Sequence, residues 1–447
     1  MKTILILGAG FGGLRTTLYL GKKIKRAGLN GQYEIVLVDK NDYHTYTPTL
    51  YEIATTSKET ADYLQLKRIV TFPIRDIVYC LPITFRQGII KNLDIERGAV
   101  IFEDGQVMSY EYAVIATGSV TNDFGIPGVR EYALEMKTFL GAVEIRDRIF
   151  EFLEEYHDPT EDQNKKERRI VVGGGGSTGV ELAGELAEWI FDPMYPKNCG
   201  IKISVIEGNK TILNNFDPRI ITAVTTRLKK LGVEIMTDES ITSVKKNKIN
   251  LKNSKTIPYD LFIWTGGVKA PDMLGNVPLQ IEQQGKIKVE EAMLCVPNTE
   301  HLHLGGEVYP YTKGFGVGVY GLGDSVCFYD PKTQRPIVGV ARAAISQGTV
   351  VAKNIFEDIR LAEELTKKAQ NNNLHKKYVA REYPYIIPVG GKWAVAKIGP
   401  FIIKGFLGWI LKGLVELSYL ASIMPLGKAL SIWFAGLKIF IKNDRLG

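Results

Sequence analysis

The sequence predicts an α/β fold made of two parallel-sheet units, the second inserted in the first, with a helical segment at the C-terminus. The 447 residues exceed the roughly 250 to 300 at which a single hydrophobic core stops growing, so two or three domains are expected. A series of apolar strand, glycine-rich loop, helix, strand and acidic residue occurs twice. From residue 398 onward the composition changes to large apolar side chains interrupted by lysines.

The first copy of the repeated unit begins at the N-terminus. Residues 4–7 favour a strand, GAGFGG (8–13) contains a GxGxxG pattern, residues 14–25 favour a helix, and YEIVLVD ends in Asp39. The first glycine of such a pattern permits a tight turn, the second lets backbone N–H groups approach a pyrophosphate, and the third lets helix and strand pack closely. The acid accepts hydrogen bonds from a ribose diol. A Rossmann-like dinucleotide site is therefore predicted.

The second copy repeats each part of the first. A strand at 170–172 leads into the glycines of GGGGSTG (173–179), a helix is predicted from about residue 180, and IKISVIE ends in Glu207. The spacing agrees, since 31 residues separate Gly8 from Asp39 and 33 separate Gly174 from Glu207. A carboxylate at this place binds the 2′-hydroxyl of NADH and repels the 2′-phosphate of NADPH, although the nearby Lys210 would weaken that preference.

Two dinucleotide sites in one chain favour a flavoprotein that exchanges hydride with a nicotinamide. A simple dehydrogenase needs one such site, whereas hydride transfer between a nicotinamide and a flavin needs two. The flavin is expected to be FAD, because FMN has no adenosine ribose for Asp39 to bind. The expected cofactors are FAD and NADH.

Composition excludes several other classes of site. The net charge of +7 is modest for this length, and no block of Lys and Arg with interleaved aromatic residues occurs, so no nucleic-acid partner is expected. Cys80, Cys199, Cys295 and Cys327 form no CxxC pair, so we expect neither a metal site nor a redox dithiol. The N-terminal apolar stretch continues into a glycine turn and lacks a cleavage site, which predicts a cytosolic protein without a signal peptide.

The C-terminal segment favours attachment to a membrane surface. Its pattern predicts two amphipathic helices broken near Pro425 and Gly427, each with lysines on one face and Trp, Phe, Leu and Ile on the other. No uncharged run approaches the roughly 18 residues that span a bilayer, so the helices are expected to lie in the interface. The alternative is that the two helices pack on the chain's own core or on a second subunit. Membrane attachment and packing on a second subunit can hold together, and a homodimer is expected. A lipid-soluble acceptor, a quinone, follows from a membrane-bound flavoprotein.

Further motifs resemble those of flavoproteins with two dinucleotide-binding domains, and the chain as a whole resembles the type II NADH dehydrogenases. YAVIATGS (112–119), YDLFIWTGGVKAP (259–271), VYGLGDS (319–325) and DKNDYHTYTPTLYEIAT (39–55) carry the resemblance, together with GGGGSTGVELAGEL (173–186). It implies an FAD domain at 1–118 and 275–375, an inserted NADH domain at 119–274, and a membrane-anchoring domain at 376–447. It also implies a non-proton-pumping NADH:quinone oxidoreductase of the respiratory chain, peripheral at the cytoplasmic face of the cell membrane.

The resemblance assigns expected roles to individual residues. Those expected to bind FAD are Gly8, Gly10, Phe11, Gly12, Gly13, Asp39, Lys40, Ala116, Thr117, Gly118, Gly323 and Asp324. Those expected to bind NADH are Gly174, Gly176, Thr178, Gly179, Glu207 and Gly266.

Four residues are expected to take part in the chemistry. Glu181 is expected beside flavin and nicotinamide, although an acid in the first helical turn also complements the helix dipole. Arg342 replaces a glutamine that contacts the quinone in the family, while Gln347 of the following QG pair is present. Arg342 is either a hydrogen-bond donor to the quinone, the mark of another acceptor, or a surface residue. Lys392 resembles a basic position near the flavin.

Two other functions remain open from the sequence. A sulfide:quinone oxidoreductase shares this architecture, but it needs a pair of cysteines flanking the flavin, and the cysteines here do not fall in matching motifs. It also leaves the second glycine loop unexplained. A redox sensor that binds nucleotides and docks a partner through its tail is the alternative outside catalysis.

Overall fold

The computed structural model describes residues 1–157, 168–190, 201–298, 318–362 and 375–443. Helices in these ranges are α1 (Phe11–Ala27), α2 (Leu50–Thr55), α3 (Tyr63–Val70), α4 (Ile74–Val78), α5 (Val129–Tyr132), α6 (Phe139–His157), α7 (Ser177–Ile190), α8 (Pro218–Lys230), α9 (Ala341–Ala362), α10 (Phe406–Ile423) and α11 (Leu426–Asn443).

Strands in the same ranges are β1 (Lys2–Leu7), β2 (Tyr33–Asp39), β3 (Tyr43–Thr45), β4 (Thr71–Pro73), β5 (Ile83–Gln87), β6 (Ile90–Asp94), β7 (Ala99–Phe102), β8 (Val107–Ser109), β9 (Tyr112–Ile115), β10 (Val120–Thr121), β11 (Leu134–Glu135), β12 (Arg168–Gly173), β13 (Ile201–Glu207), β14 (Glu234–Thr237), β15 (Ile241–Lys245), β16 (Lys248–Leu251), β17 (Thr256–Pro258), β18 (Leu261–Trp264), β19 (Val268–Lys269), β20 (Ile287–Val289), β21 (Val319–Gly321), β22 (Val326–Phe328), β23 (Tyr385–Pro388), β24 (Ala394–Ile398) and β25 (Phe401–Gly405).

The chain divides into two compact units, each built from several segments. Unit 1 comprises Met1–His44, Phe72–Val120 and Val268–Tyr383. Unit 2 comprises Thr45–Thr71, Thr121–Gly267 and Pro384–Gly447.

Unit 1 contains a five-stranded parallel sheet in the order β21-β9-β1-β2-β5. The last four residues of β1 are fully buried. A strand covered on both faces is typical of a parallel sheet between helices, and it explains why ILIL is continuously apolar rather than alternating. Helix α1 follows β1 through the glycine loop and packs on α9, where a Cβ at Gly348 would lie 2.5 Å from the carbonyl oxygen of Gly12. Strands β6, β7 and β8 form a separate antiparallel sheet.

Unit 2 repeats the arrangement with a five-stranded parallel sheet in the order β11-β18-β12-β13-β14. In both sheets the strand before the glycine loop is central, with the acid-bearing strand on one side. The antiparallel strands β15, β16 and β17 pack their buried residues, including Val244 and Ile249, against Phe262 and Trp264 of β18. The predicted fold of two parallel-sheet units is thus confirmed.

The C-terminal residues belong to unit 2. Strands β23 to β25 form an antiparallel sheet, and α10 packs on β24 at Gly408, where a Cβ would overlap the carbonyl oxygen of Ala394. Helices α10 and α11 are separated at Met424 and Pro425, as the sequence predicts. The division into compact units therefore does not separate 376–447 from the inserted segment, and the assignment of each sequence range to a cofactor stays a prediction.

Candidate functional site

The first glycine loop has the geometry that a pyrophosphate requires. Gly8 adopts φ +109°, which other residues rarely adopt, and a Cβ on it would overlap the carbonyl oxygen of Ala116. A Cβ on Gly13 would overlap the carbonyl oxygen of Gly8, so α1 and β1 approach closely. Gly10 is exposed, and no atom lies within 4 Å of an ideal Cβ there. That open space beside the α1 N-terminus is where a phosphate group fits.

The second glycine loop repeats this geometry. Gly174 adopts φ +112°, and a Cβ on it would lie 2.6 Å from Cα of Gly266. A Cβ on Gly179 would overlap the carbonyl oxygen of Gly174, while Gly176 has no atom within 4 Å of its ideal Cβ. Thr265 and Gly266 thus occupy the positions beside this loop that Ala116 and Thr117 have beside the loop of unit 1. Thr178 lies in the first turn of α7, partly buried.

The two acidic residues are held by backbone N–H groups of their own loops. Asp39 Oδ2 accepts a hydrogen bond from Ala9 N at 2.8 Å, and Glu207 Oε2 accepts one from Gly175 N at 2.7 Å. The second oxygen of each accepts from the residue two positions later, at 2.9 Å for Asp39 and 2.8 Å for Glu207. Burial raises the pKa of Asp39, against the lowering effect of these N–H groups. Both carboxylates retain lone pairs for a ribose diol.

The residues around the first loop fit FAD. Thr117, predicted from the ATG turn, has a buried hydroxyl with no hydrogen-bond partner in the described ranges, as expected of a group that awaits a ligand. Ser119 Oγ donates to Asp324 Oδ2 at 2.9 Å, which brings the ATG turn and the GD loop together. Gly118 and Gly323 both have positive φ. Lys40 is exposed, and its backbone carbonyl oxygen accepts a hydrogen bond from the Gln87 side chain.

The sequence did not identify His44 as part of this loop. Its Nδ1 lies 2.8 Å from the carbonyl oxygen of Ala9, and its ring contacts that of Phe11 edge to face, with 5.2 Å between centroids. Burial lowers the pKa of His44 to about 4, so the imidazole is neutral at physiological pH and Nδ1 is the donor. His44 thus holds the backbone of the loop through a hydrogen bond without adding a charge. No local pattern marks this role, since the contact spans 35 residues.

Gln347 and Arg342 lie on the same helix of unit 1 but differ in surroundings. Gln347 is buried, and its Oε1 accepts a hydrogen bond from Gly323 N at 2.8 Å, so it fixes the loop that carries Asp324. Arg342 is exposed in the first turn of α9. The predicted contacts of both with a quinone stay predictions.

Glu181 belongs to a cluster of four ionisable residues in unit 2, which we call the carboxylate cluster: Glu52 of α2, Glu181 of α7, and Lys412 and Glu416 of α10. Lys412 Nζ forms an ion pair with Glu52 Oε1. Burial raises the pKa of Glu52, and it raises those of Glu181 to about 8 and Glu416 to about 7. Lys412 opposes these increases, but one cation faces three carboxyl groups. The cluster therefore holds protons near neutral pH.

A cavity of about 120 Å³ adjoins the carboxylate cluster. Glu52, Lys412 and Glu416 line it together with Trp409, Ile410, Gly413, Leu414, Trp433, Leu437 and Phe440. Trp433 Nε1 donates to the carbonyl oxygen of Gly413 at 2.8 Å, which joins α11 to α10 across the cavity wall. The lining combines apolar and aromatic surface with a few polar groups, as small-molecule sites commonly do.

The charged residues of α10 do not face solvent. The helical spacing predicts that Lys412 and Glu416 belong to a polar face directed to water, but they point into unit 2 and towards Glu52. The exposed side of α10 is instead uncharged and mostly apolar, with Phe406, Leu407, Ile410 and Leu414 beside two serines. Within the described ranges, α10 is the one helix whose length and composition suffice to cross a membrane, a test that core helices of soluble proteins also pass.

Lys392 lies in the turn between β23 and β24, also in unit 2. Gly391 N donates to Glu185 of α7 at 3.4 Å, and Arg227 of α8 donates to the carbonyl oxygens of Val389 and Gly390. The turn is therefore anchored to the helix that carries Glu181. Lys392 itself is partly buried.

The free cysteines of the described ranges differ in exposure. Cys295 is buried, and burial raises its pKa, while Cys80 is exposed. No group of His, Cys, Asp and Glu in these ranges has the arrangement of a metal site. Cys199 and the residues following 157 up to 167 lie outside the described ranges.

Three known proteins resemble this chain over most of its length. The type II NADH:quinone oxidoreductase Ndh of Mycobacterium tuberculosis is 26% identical over 436 residues, covering 93% of this chain and 84% of that protein. NDH2 from Plasmodium falciparum in complex with NADH superposes with a TM-score of 0.80 at 18% identity, covering 100% of this chain and 99% of the other. The sulfide:quinone oxidoreductase of Aquifex aeolicus superposes with a TM-score of 0.72 at 18% identity, covering 99% and 96%.

Both glycine loops and their acidic residues lie in parallel sheets of equivalent strand order. The family model described as pyridine nucleotide-disulphide oxidoreductase matches residues 2–348, which include both loops and the Gly323–Asp324 turn. This chain is a member of the pyridine nucleotide-disulphide oxidoreductase family.

Proposed function

We propose that this protein is an NADH:quinone oxidoreductase of the type II kind, which transfers electrons from NADH to a membrane quinone without pumping protons. The observation that carries the proposal is the duplicated loop geometry, with an open phosphate position at both Gly10 and Gly176. Two dinucleotides in one chain indicate hydride transfer between them. When bound, FAD accepts hydride from NADH and gives up two electrons to the quinone. The named activity of the Mycobacterium relative agrees.

Unit 2 supplies the residues for NADH. Gly176 and the N-terminus of α7 bind the pyrophosphate, and Glu207 binds the adenosine ribose through its 2′-hydroxyl. Three donors, Gly175 N and the N and Nδ2 of Asn209, fix the Glu207 carboxylate in place. Glu181 follows the loop by one helical turn and is protonated at neutral pH, so it donates a hydrogen bond to the nicotinamide or relays a proton.

Unit 1 supplies the residues for FAD. Gly10 and the N-terminus of α1 bind its pyrophosphate, and Asp39 binds its ribose. Asp324 binds the ribityl chain, held by Ser119 and, through Gly323, by Gln347. Arg342 supplies positive charge for the reduced flavin or the quinone carbonyl.

The cavity beside the carboxylate cluster is the proposed site of the quinone ring. Its aromatic lining suits an apolar ring, and its carboxyl and ammonium groups suit the ring oxygens. The apolar outer side of α10 and the exposed Leu426, Phe434 and Ile441 of α11 rest on the membrane surface, with Lys428, Lys438 and Lys442 toward lipid headgroups. We place the protein at the cytoplasmic face, where NADH is available, and expect a homodimer.

A sulfide:quinone oxidoreductase is the less favoured function. Its chemistry needs accessible cysteine thiolates at the flavin, and Cys295 and Cys327 are buried with raised pKa values. It also has no use for the second loop.

Anaerobic mixing with NADH tests the proposal. The visible flavin absorbance is expected to bleach within seconds, and a quinone added with lipid is expected to restore it. Arg342→Gln is expected to change the second phase and leave the first intact. Failure of NADH to bleach the flavin would refute the dehydrogenase function, and bleaching that sulfide causes but NADH does not would favour the alternative.

A further inference from the structure

Quinone reduction needs one proton that hydride transfer does not deliver. A hydride carries two electrons and one proton, whereas a quinol contains two electrons and two protons more than the quinone. If the proposed function holds, each turnover therefore takes one further proton from a group at the quinone. In a cavity lined largely by apolar side chains, a neutral carboxylic acid is a suitable donor.

Glu416 has the geometry of such a donor. It lines the cavity and is 9% exposed. Glu181, the other protonated carboxyl group of the cluster, does not line the cavity. Burial is the main cause that raises the pKa of Glu416 to about 7.

Glu52 holds the ammonium group of Lys412 in an ion pair. The Lys412 ammonium forms an ion pair with Glu52 Oε1, and it lies over the rings of Tyr51 and Phe440 at 5.3 and 5.6 Å. Glu52 is 2% exposed, and its Oε2 has no hydrogen-bond partner in the described part of the chain. A lysine held in this pair is less available to stabilise a carboxylate at Glu416. An unpartnered buried oxygen at the cavity also accepts a hydrogen bond from a quinol hydroxyl.

We propose that Glu416 is the acid that donates the second proton to the quinone, and that Glu52 is a positioning residue that keeps Glu416 protonated by holding Lys412. The O–H bond of Glu416 breaks as an O–H bond forms on a quinone oxygen, while both electrons and the other proton originate from NADH. Glu416 is left as a carboxylate opposite Lys412 and regains a proton from water.

Charged groups from several helices act on Glu416. Glu52 of α2 raises its pKa and Lys412 of α10 lowers it. Glu181 of α7 also interacts with Lys412 and Glu52. The cavity residues that α11 contributes, Trp433, Leu437 and Phe440, are uncharged. The protonation of Glu416 thus depends on the Glu52 and Lys412 pair.

Glu416→Gln, which keeps the shape and removes the proton, tests the catalytic role. Single-turnover reoxidation of the NADH-reduced holoenzyme by a quinone in lipid is expected to slow by about 100-fold. Reoxidation by hexacyanoferrate, which takes electrons without protons, is expected to stay unchanged. Infrared difference spectra of the resting protein are expected to lose a carboxylic C=O band that titrates near pH 7 in the wild type. Glu59→Gln, a change at an exposed carboxylate of the same unit, is the control.

Glu52→Gln tests the positioning role. It removes one negative charge and frees Lys412, so the Glu416 infrared band and the pH profile of quinone reduction are expected to shift together to lower pH. A merely structural role would lower the rate without moving the midpoint.

Unchanged quinone reoxidation in Glu416→Gln, or equal slowing with hexacyanoferrate, would overturn the inference while leaving the NADH:quinone activity in place. Failure of the wild type to reduce quinone would instead overturn the proposed function.

Discussion

Replacing Gly176 by Ala offers a sharp test of the second loop, because the structure separates its effect on binding from its effect on folding. An ideal Cβ at Gly176 has no atom within 4 Å, so the methyl group meets only the space assigned to a phosphate. Gly179→Ala would be uninformative, since its Cβ overlaps the Gly174 carbonyl oxygen. The choice of position therefore decides what the experiment measures.

The expected magnitude follows from the hydrogen bonds that the methyl group prevents. Losing one backbone N–H bond to a charged phosphate costs about 1.5–3 kcal/mol, which raises the Kd for NAD⁺ by about 10-fold to 150-fold. The free energy of unfolding is expected to stay equal or to rise by up to about 1 kcal/mol, because alanine restricts the unfolded chain.

Calorimetric titration with NAD⁺, which does not reduce the flavin, gives the Kd, and thermal unfolding gives the stability. Gly31→Ala, at another open and exposed glycine without positive φ, is the matched control. Gly10→Ala is expected to lower the FAD content of the purified protein instead. A folded Gly176→Ala variant with the wild-type Kd would refute the role of this loop.

Three further predictions concern the buried and charged residues. Lys412→Met leaves Glu52, which is 2% exposed, without its cation, and is expected to lower the free energy of unfolding by about 3–5 kcal/mol. In chemical denaturation, the double variant with Glu52→Gln is expected to recover most of that lost free energy. Glu207→Gln is expected to raise the kcat/KM of NADPH relative to NADH by about tenfold, and an unchanged ratio would contradict the role of the carboxylate. Burial lowers the pKa of His44 to about 4 in the folded protein, against about 6.5 in the unfolded chain, so the unfolded chain binds a proton first as the pH falls. Protonation of His44 is therefore expected to lower the free energy of unfolding by about 3 kcal/mol between pH 6.5 and pH 4. The His44→Gln variant is expected not to show this loss.

The glycine loops and their acids could be predicted because each is encoded within about 35 residues. A GxGxxG pattern between a strand and a helix specifies its own turn, and the predicted α1 differs from the observed one mainly by starting at Phe11. The break between α10 and α11 was likewise local, because Pro425 cannot continue a helix.

The carboxylate cluster could not be predicted, because its members come together only through tertiary packing. Glu52 and Lys412 are 360 residues apart in sequence, and α2 carries no pattern that marks Glu52 as an ion-pair partner. Helical spacing shows that α10 has two unlike faces, but it does not determine which face meets protein and which meets the surroundings. In the structure Glu416 is buried and Lys412 is turned inward to pair with Glu52. Gln347 likewise has a loop contact that the sequence does not indicate.

The similar geometry of the two glycine loops has a consequence for how each cofactor is selected. With φ of +109° at Gly8 and +112° at Gly174, the loops offer a pyrophosphate the same cradle, so the glycines themselves cannot tell FAD from NADH. Selection must come from the side chains that differ between equivalent positions, such as Phe11, whose ring rests on His44, and Ser177. We expect that exchanging residues 8–13 with residues 174–179, without the side chains around them, would preserve pyrophosphate binding at both sites and would not change which cofactor each unit binds.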